Sequence, residues 1–176
     1  MPIISYTDNP LLNFFQTLLH NQVLMTAILG WVIAVIAKAF VSIIANKKLH
    51  LEDFLGTGGM PSTHTSPVAA LALITGLVEG FDSSIFAITV ALLSVVMYDA
   101  SGIRRAAGGH AKAINMLYKS LLEFEQIKPA QLIELRELLG HEPIEVAGGA
   151  AIGFLTAFYC WTGGYFAPID LNLIIR

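Results

Sequence analysis

The sequence predicts an all-α, polytopic membrane helix bundle, and three observations predict it. Of the 176 residues, 55% are hydrophobic and only 13% are charged, against about 25% charged in an ordinary soluble domain. The mean hydropathy is +0.68. The apolar residues also gather into runs of helix length, with glycine, proline and the charges between them. About four transmembrane spans are expected, with amphipathic helices at one membrane face. A chain of this length is expected to form one integral domain over 1–176.

Each element follows from its run. Residues 1–21 form an N-terminal segment, and Asn9 to His20 is a short apolar stretch suited to an interfacial or re-entrant helix. A bilayer core of ~30 Å needs ~20 apolar residues per helix. The first span runs from about Gln22 to Ala45. The second runs from Ser66 to Leu77, reaching span length only with its polar N-terminal turn and Val78 to Gly80. The third runs from about Ser84 to Tyr98, so that spans one to three occupy 22–98. Because the second and third are short, a tight hairpin buried in the bundle is an alternative for that pair. Residues 99–142 form a cytoplasmic helical segment. Ile114, Leu117 and Leu121 repeat there at helical spacing, as do Leu132, Leu135 and Leu139, with Pro129 starting the second stretch. These amphipathic helices suit a cap in the headgroup layer, or a dimer interface in a homo-oligomer. The fourth span covers 143–168, with its apolar run from Val146 to Ala167.

Charge sets the expected orientation. Lys47 and Lys48 follow the first span; Arg104, Arg105, Lys112, Lys119, Lys128 and Arg136 lie between the third and fourth. These eight of the ten basic residues occupy two segments that the positive-inside rule assigns to the cytoplasm. Both termini are then outside. No Lys or Arg precedes Lys38 and no cleavage site follows a short apolar core, so no secretory signal is expected. The single cysteine, Cys160, lies in an apolar run and reads as a packing residue. The net charge of −3 gives no reason to expect a nucleic-acid partner.

Three polar clusters fall at the cytoplasmic ends of these spans. The first is Gly56-Thr57-Gly58-Gly59-Met60-Pro61-Ser62-Thr63-His64. It precedes an apolar helix whose N-terminus attracts anions; Ser62 adds a hydroxyl donor and His64 a proton donor of useful pKa. The second runs from Asp99 to Arg104-Arg105. Arginines beside a span act as lipid anchors, but they also bind phosphate bidentately, and Asp99 suits a pairing role with either of them. The third is His141-Glu142-Pro143-Ile144-Glu145. Glu145 follows His141 by four residues, so one helical face can carry both, and a carboxylate on one ring nitrogen prepares the other as a nucleophile. A histidine and two glutamates also suit a metal ion, and a capped helix entry explains any one cluster alone. Together they supply the residue types that hold a phosphate group and break its ester.

At these residues the chain resembles the type 2 phosphatidic acid phosphatase superfamily, which shares its fold with the vanadium haloperoxidases. That family carries Lys, six residues, then Arg-Pro; Pro-Ser-Gly-His; and Ser-Arg, five residues, His, three residues, Asp. Pro61-Ser62-Thr63-His64 matches the second block with Thr63 for glycine. Arg104 or Arg105 stands for the third block's arginine, and His141 with Glu145 keeps the His-x-x-x-acid spacing. More closely, the chain is similar, from about Gly30 to Gly164, to the divergent bacterial and plastid branch related to acid phosphatases and vanadium-dependent haloperoxidases. It departs from the pattern in lacking an Arg-Pro block, with Lys47 or Lys48 as a loose substitute, and in the long interval between arginine and histidine.

What the resemblance implies is hydrolysis of a lipid phosphomonoester or pyrophosphate in two steps. His141 forms a phosphohistidine, Glu145 orients it, and His64 protonates the leaving alkoxide. Arg104 or Arg105, Ser62, Thr63 and a lysine hold the phosphoryl oxygens; Asp99 joins the catalytic group. No cofactor or metal is implied. The expected partners are a lipid phosphate and the membrane lipids, in a bacterial inner (plasma) membrane with the site facing the cytoplasm. Two other readings stand beside this one: a non-enzymatic lipid-phosphate binding or transport protein on the same frame, and a metal-dependent membrane enzyme using His64, His141, Glu145 and Asp99.

Overall fold

Every element in the computed structural model, which describes residues 9–46, 59–123, 135 and 140–163, is helical. Helix α1 (Pro10–Leu19) starts where the Asn9 side chain accepts the Leu11 and Leu12 amides, with Pro10 already at the helical φ. It turns its apolar stripe outward, exposing Leu11, Phe14, Phe15 and Leu18, and buries Gln16. A surface of that kind belongs in lipid, as the expected interfacial helix does. Helix α2 (Gln22–Asn46) follows directly, its start capped by the Asn21 side chain on the Leu24 amide at 3.0 Å.

Helix α3 (Thr65–Glu79) is the centre of the bundle. It packs on α2, on α4 (Ser84–Tyr98) and on α6 (Pro143–Gly163), while α2 also touches α6. Its buried residues are nearly all small: Thr65, Ser66, Ala69, Ala70, Ala72, Thr75 and Gly76, with Ile74 the largest. Helix α6 answers with Gly149, Ala150, Gly153, Thr156, Ala157 and Cys160 on one face. In lipid there is no hydrophobic drive between helices, so close backbone approach has to supply the contact. The approach is close enough that a Cβ on Gly153 would lie 2.8 Å from the Ala69 Cβ and overlap the Ser66 carbonyl oxygen. The Ser66 hydroxyl donates to the Gly30 carbonyl of α2 at 2.8 Å, tying the third member of the seam. Cys160 is fully buried against Thr26 of α2.

The bounds of the second and third apolar helices agree with those read in the sequence, and their lengths add two features. Among the described residues, three helical runs are long and apolar enough to cross a membrane: Gln22–Ile44, Ser84–Leu121 and Pro143–Gly163. Helix α3 has 15 residues, about 22 Å at 1.5 Å per residue, against a core of ~30 Å. It is the shorter apolar helix of the four, enclosed by the others. Helix α4 ends at Tyr98, as read in the sequence, but the chain does not turn away there. The chain passes through one π-turn, Asp99–Ile103, into α5 (Arg104–Glu123). Nothing from Asp99 to Arg105 breaks a helix, since there is no proline and only one glycine. The polar cluster therefore sits on the side of a continuous rod. The second amphipathic stretch, around Leu132 to Leu139, lies outside the described residues except for Leu135, as do Pro129, Lys47 and Lys48.

Candidate functional site

The three clusters meet at one end of the bundle. The turn before α3 is joined to the start of α6 by the Ser62 amide, which donates to the Glu145 carbonyl at 3.0 Å. The start of α6 is joined to the π-turn by the His141 amide, which donates to the Ala100 carbonyl at 2.9 Å. These two backbone bonds bring His64 and His141 to a ring separation of 6.4 Å.

His141 is buried, at 3% exposure. Its Nδ1 lies 2.9 Å from Glu145 Oε2, one helical turn on. The same carboxylate oxygen accepts the Glu142 amide at 3.0 Å, so the acid is itself held by the first turn of α6. With Nδ1 bonded to a carboxylate, Nε2 carries the lone pair. That Nε2 is buried and finds no hydrogen-bond partner among the described residues. A buried polar atom left unpaired costs about 1–3 kcal/mol, so Nε2 calls for a partner such as a water or a ligand atom.

His64 stands at the N-terminus of α3 with its ring exposed. Desolvation by burial lowers its pKa below 6.5, and the positive charges of Arg104, of His141 when its ring is protonated, and of Lys38 lower it further; Asp99 works in the opposite direction. Arg104 is held by Asp99, its Nε 2.7 Å from Asp99 Oδ2. The π-turn puts these two residues, five apart, on one face. Adjacent helical residues diverge by about 100°, and it is Arg104, not Arg105, whose charge acts on His64.

Ser62 and Thr63 are both buried. The Ser62 hydroxyl lies 3.0 Å from Thr65 Oγ1 and accepts the Thr65 amide at 3.3 Å, so it builds the entry to α3. Lys47 and Lys48, expected near the phosphate, lie outside the described residues. Among the described residues, the lysine that reaches the site is Lys38. It is 5% exposed, its Cε lies 3.4 Å from where a Cβ on Gly59 would stand, and its charge acts on His64. Lys38 lies eight residues before the end of α2, about 12 Å along the axis. The sequence holds a signal for it, because an ionisable residue inside a span is a functional candidate by default. Among the described residues no three His, Cys, Asp or Glu side chains converge to hold a metal ion.

Fold and site together define an integral membrane helix bundle that gathers two histidines, an Arg–Asp pair and a buried lysine at one end. The chain belongs to the Divergent PAP2 family, whose model matches residues 19–156, and is thus a phosphatase-related membrane protein. It is 36% identical over 146 residues to a protein of Bacillus subtilis (strain 168) described as the uncharacterized membrane protein YuiD, an alignment covering 78% of this chain and 92% of that one. No solved structure gives a significant match.

Proposed function

We propose that the protein is a lipid phosphate phosphatase that hydrolyses a phosphomonoester or pyrophosphate through a phosphohistidine on His141. One observation carries this reading: a buried imidazole with Nδ1 on Glu145 and Nε2 unbonded, beside His64. In the first step the Nε2 lone pair attacks phosphorus, the P–O bond to the alcohol breaks, and His64 gives the leaving oxygen its proton. In the second step water attacks phosphorus, His64 takes a proton from it, the P–N bond breaks and phosphate leaves. Arg104 and Lys38 place positive charge against the phosphoryl oxygens, where charge builds up in the transition state. No metal enters this scheme.

The lowered pKa of His64 fits its two duties. Alone it is neutral near pH 7, the form a base needs. A phosphate dianion entering between His64, Arg104 and Lys38 cancels the positive field and restores the proton an acid needs. The depth of Lys38 suits a phosphate held close to its apolar anchor, as in phosphatidic acid; the terminal phosphates of phosphatidylglycerophosphate and of a polyprenyl pyrophosphate stand further out, and all three belong in the test. A second reading, binding or transport without turnover, draws on one observation: the Nε2 that must attack is closed off from solvent.

Phosphate release by the purified protein in detergent tests both. Those three lipids are offered with and without chelator, beside His141→Gln. Chelator-resistant turnover that falls at least ~10⁴-fold in the variant, with its melting temperature kept, is expected. Folded protein that binds a lipid phosphate and turns none over supports transport. Turnover lost in chelator would replace the metal-free route. We also propose that the site faces the cytoplasm. Cysteines introduced near Lys48 and Lys119 should resist a membrane-impermeant maleimide in intact cells, while one near Ser83 should react. The reverse pattern would invert the topology.

A further inference from the structure

The π-turn has a consequence for His141. In an α-helix the Arg104 amide would bond the Ala100 carbonyl, four residues back. Here it reaches the Asp99 carbonyl, five back. The Ala100 carbonyl instead accepts the His141 amide, at 2.9 Å. One residue of extra register therefore opens a docking point on the flank of the rod, at the place where the chain bearing His141 returns.

Two more contacts guide that return. The Asn115 side chain, buried on α5, closes on both backbone groups of Leu135: its Nδ2 donates to the carbonyl at 2.8 Å, and its Oδ1 accepts the amide at 3.1 Å. Gly140 then lies directly on the first turn of α5. Its φ is +98°, and a Cβ there would overlap the Arg105 backbone nitrogen and stand 2.7 Å from the Arg104 carbonyl carbon. The order of contacts, Leu135 on Asn115, Gly140 on Arg104 and Arg105, and His141 on Ala100, runs the returning chain antiparallel to the rod.

We infer that the π-turn, Gly140 and Asn115 form a positioning device that seats His141 at a fixed place relative to Arg104. Glu145 sets the tilt of the imidazole ring; the device sets where the ring is. Both groups must address one phosphorus atom, and they come from segments over thirty residues apart in sequence. A displacement of about 1 Å at a reacting group costs on the order of 10²-fold in rate. The role assigned to all three is positioning. The catalytic consequence rests on the phosphohistidine reading, whereas the seating itself does not.

The test uses Gly140→Ala, with Asn115→Leu as a second variant that removes the clasp without adding bulk to the seat. Two readouts are taken on the full chain in detergent. The first is the ring ¹⁵N–¹H signal of His141 in protein labelled at histidine, assigned by its loss in His141→Gln. The second is the split between kcat and KM on the best lipid phosphate. Gly140→Ala should shift or broaden the His141 signal and lower kcat about 10²-fold, with KM changed less than about twofold. Asn115→Leu should show the same pattern, smaller. A His141 signal unchanged in both folded variants overturns the inference, as does a fall that appears only in KM. Should Gly140→Ala not fold, Asn115→Leu decides alone by the same criteria. Should the wild type turn over no lipid phosphate, the phosphatase reading fails, and the ring signal alone then supports or overturns the seating.

Discussion

The turns that carry His64 and His141 begin alike and end differently. Each opens with a glycine at positive φ, Gly59 at 84° and Gly140 at 98°, and each leads into a helix of the small-residue seam. At His141 the backbone amide is bonded to the π-turn, the ring to Glu145, and the side chain is buried. At His64 the holding is done by its neighbours Ser62 and Thr65, and the ring projects free of the turn. The difference matches the two chemical duties proposed for these histidines. A nucleophile has to be aimed, since it forms a bond to a fixed atom. A proton donor has to reach first a leaving oxygen and then a water, and it tolerates looser placement.

The largest test of this contrast is the leaving group. His64→Gln should lower turnover of a lipid phosphate by about 10²–10⁴-fold, the usual worth of general acid–base help. On p-nitrophenyl phosphate, whose leaving oxygen needs no proton, the defect in the first step should shrink severalfold. His141→Gln should show equal loss on both substrates. Equal loss in both variants would show that His64 is held for something other than proton transfer. A comparable effect is expected at Glu145. Glu145→Gln keeps the shape of the pair but weakens the preference for the Nδ1–H tautomer, and kcat should fall about 10²–10⁴-fold by analogy with other oriented histidines. Unchanged kcat there would mean that burial and the Ala100 bond alone aim the ring.

What is legible in the sequence follows the same division between local and long-range contacts. The His141–Glu145 pair can be read from spacing alone, because both residues lie within one helical turn and the contact is local. The helix-bundle class and the first and fourth spans follow from apolar run length. The continuation of the rod beyond Tyr98 does not, since a polar cluster looks the same whether the chain turns there or runs on. The choice between Arg104 and Arg105 depends on the π-turn, a one-residue change of register that leaves no mark in composition. Lys38 is eclipsed in the sequence by Lys47 and Lys48, because a lysine near a span end is the more obvious partner for phosphate. Its burial is set by α3, α2 and the Gly59 turn meeting, which is a long-range fact.

Lys38 gives the smallest and most discriminating prediction. Loss of one charged contact to a phosphoryl oxygen should reduce kcat/KM about 10–10²-fold in Lys38→Met, at the level of a single charge-assisted hydrogen bond. The pH profile carries more information. The field of Lys38 lowers the pKa of His64, with burial and Arg104 the larger causes. If protonated His64 is required in the free enzyme, kcat/KM falls as pH rises through that lowered pKa, below 6.5. Removing Lys38 takes away one of the lowering charges, so the alkaline limb of the residual activity should move to higher pH. A contact that only gripped phosphate would reduce the plateau and leave the limb where it was. A limb moving to lower pH would mean that Lys38 stabilises the protonated histidine through some bridging group, and the placement of its charge beside His64 would have to be redrawn.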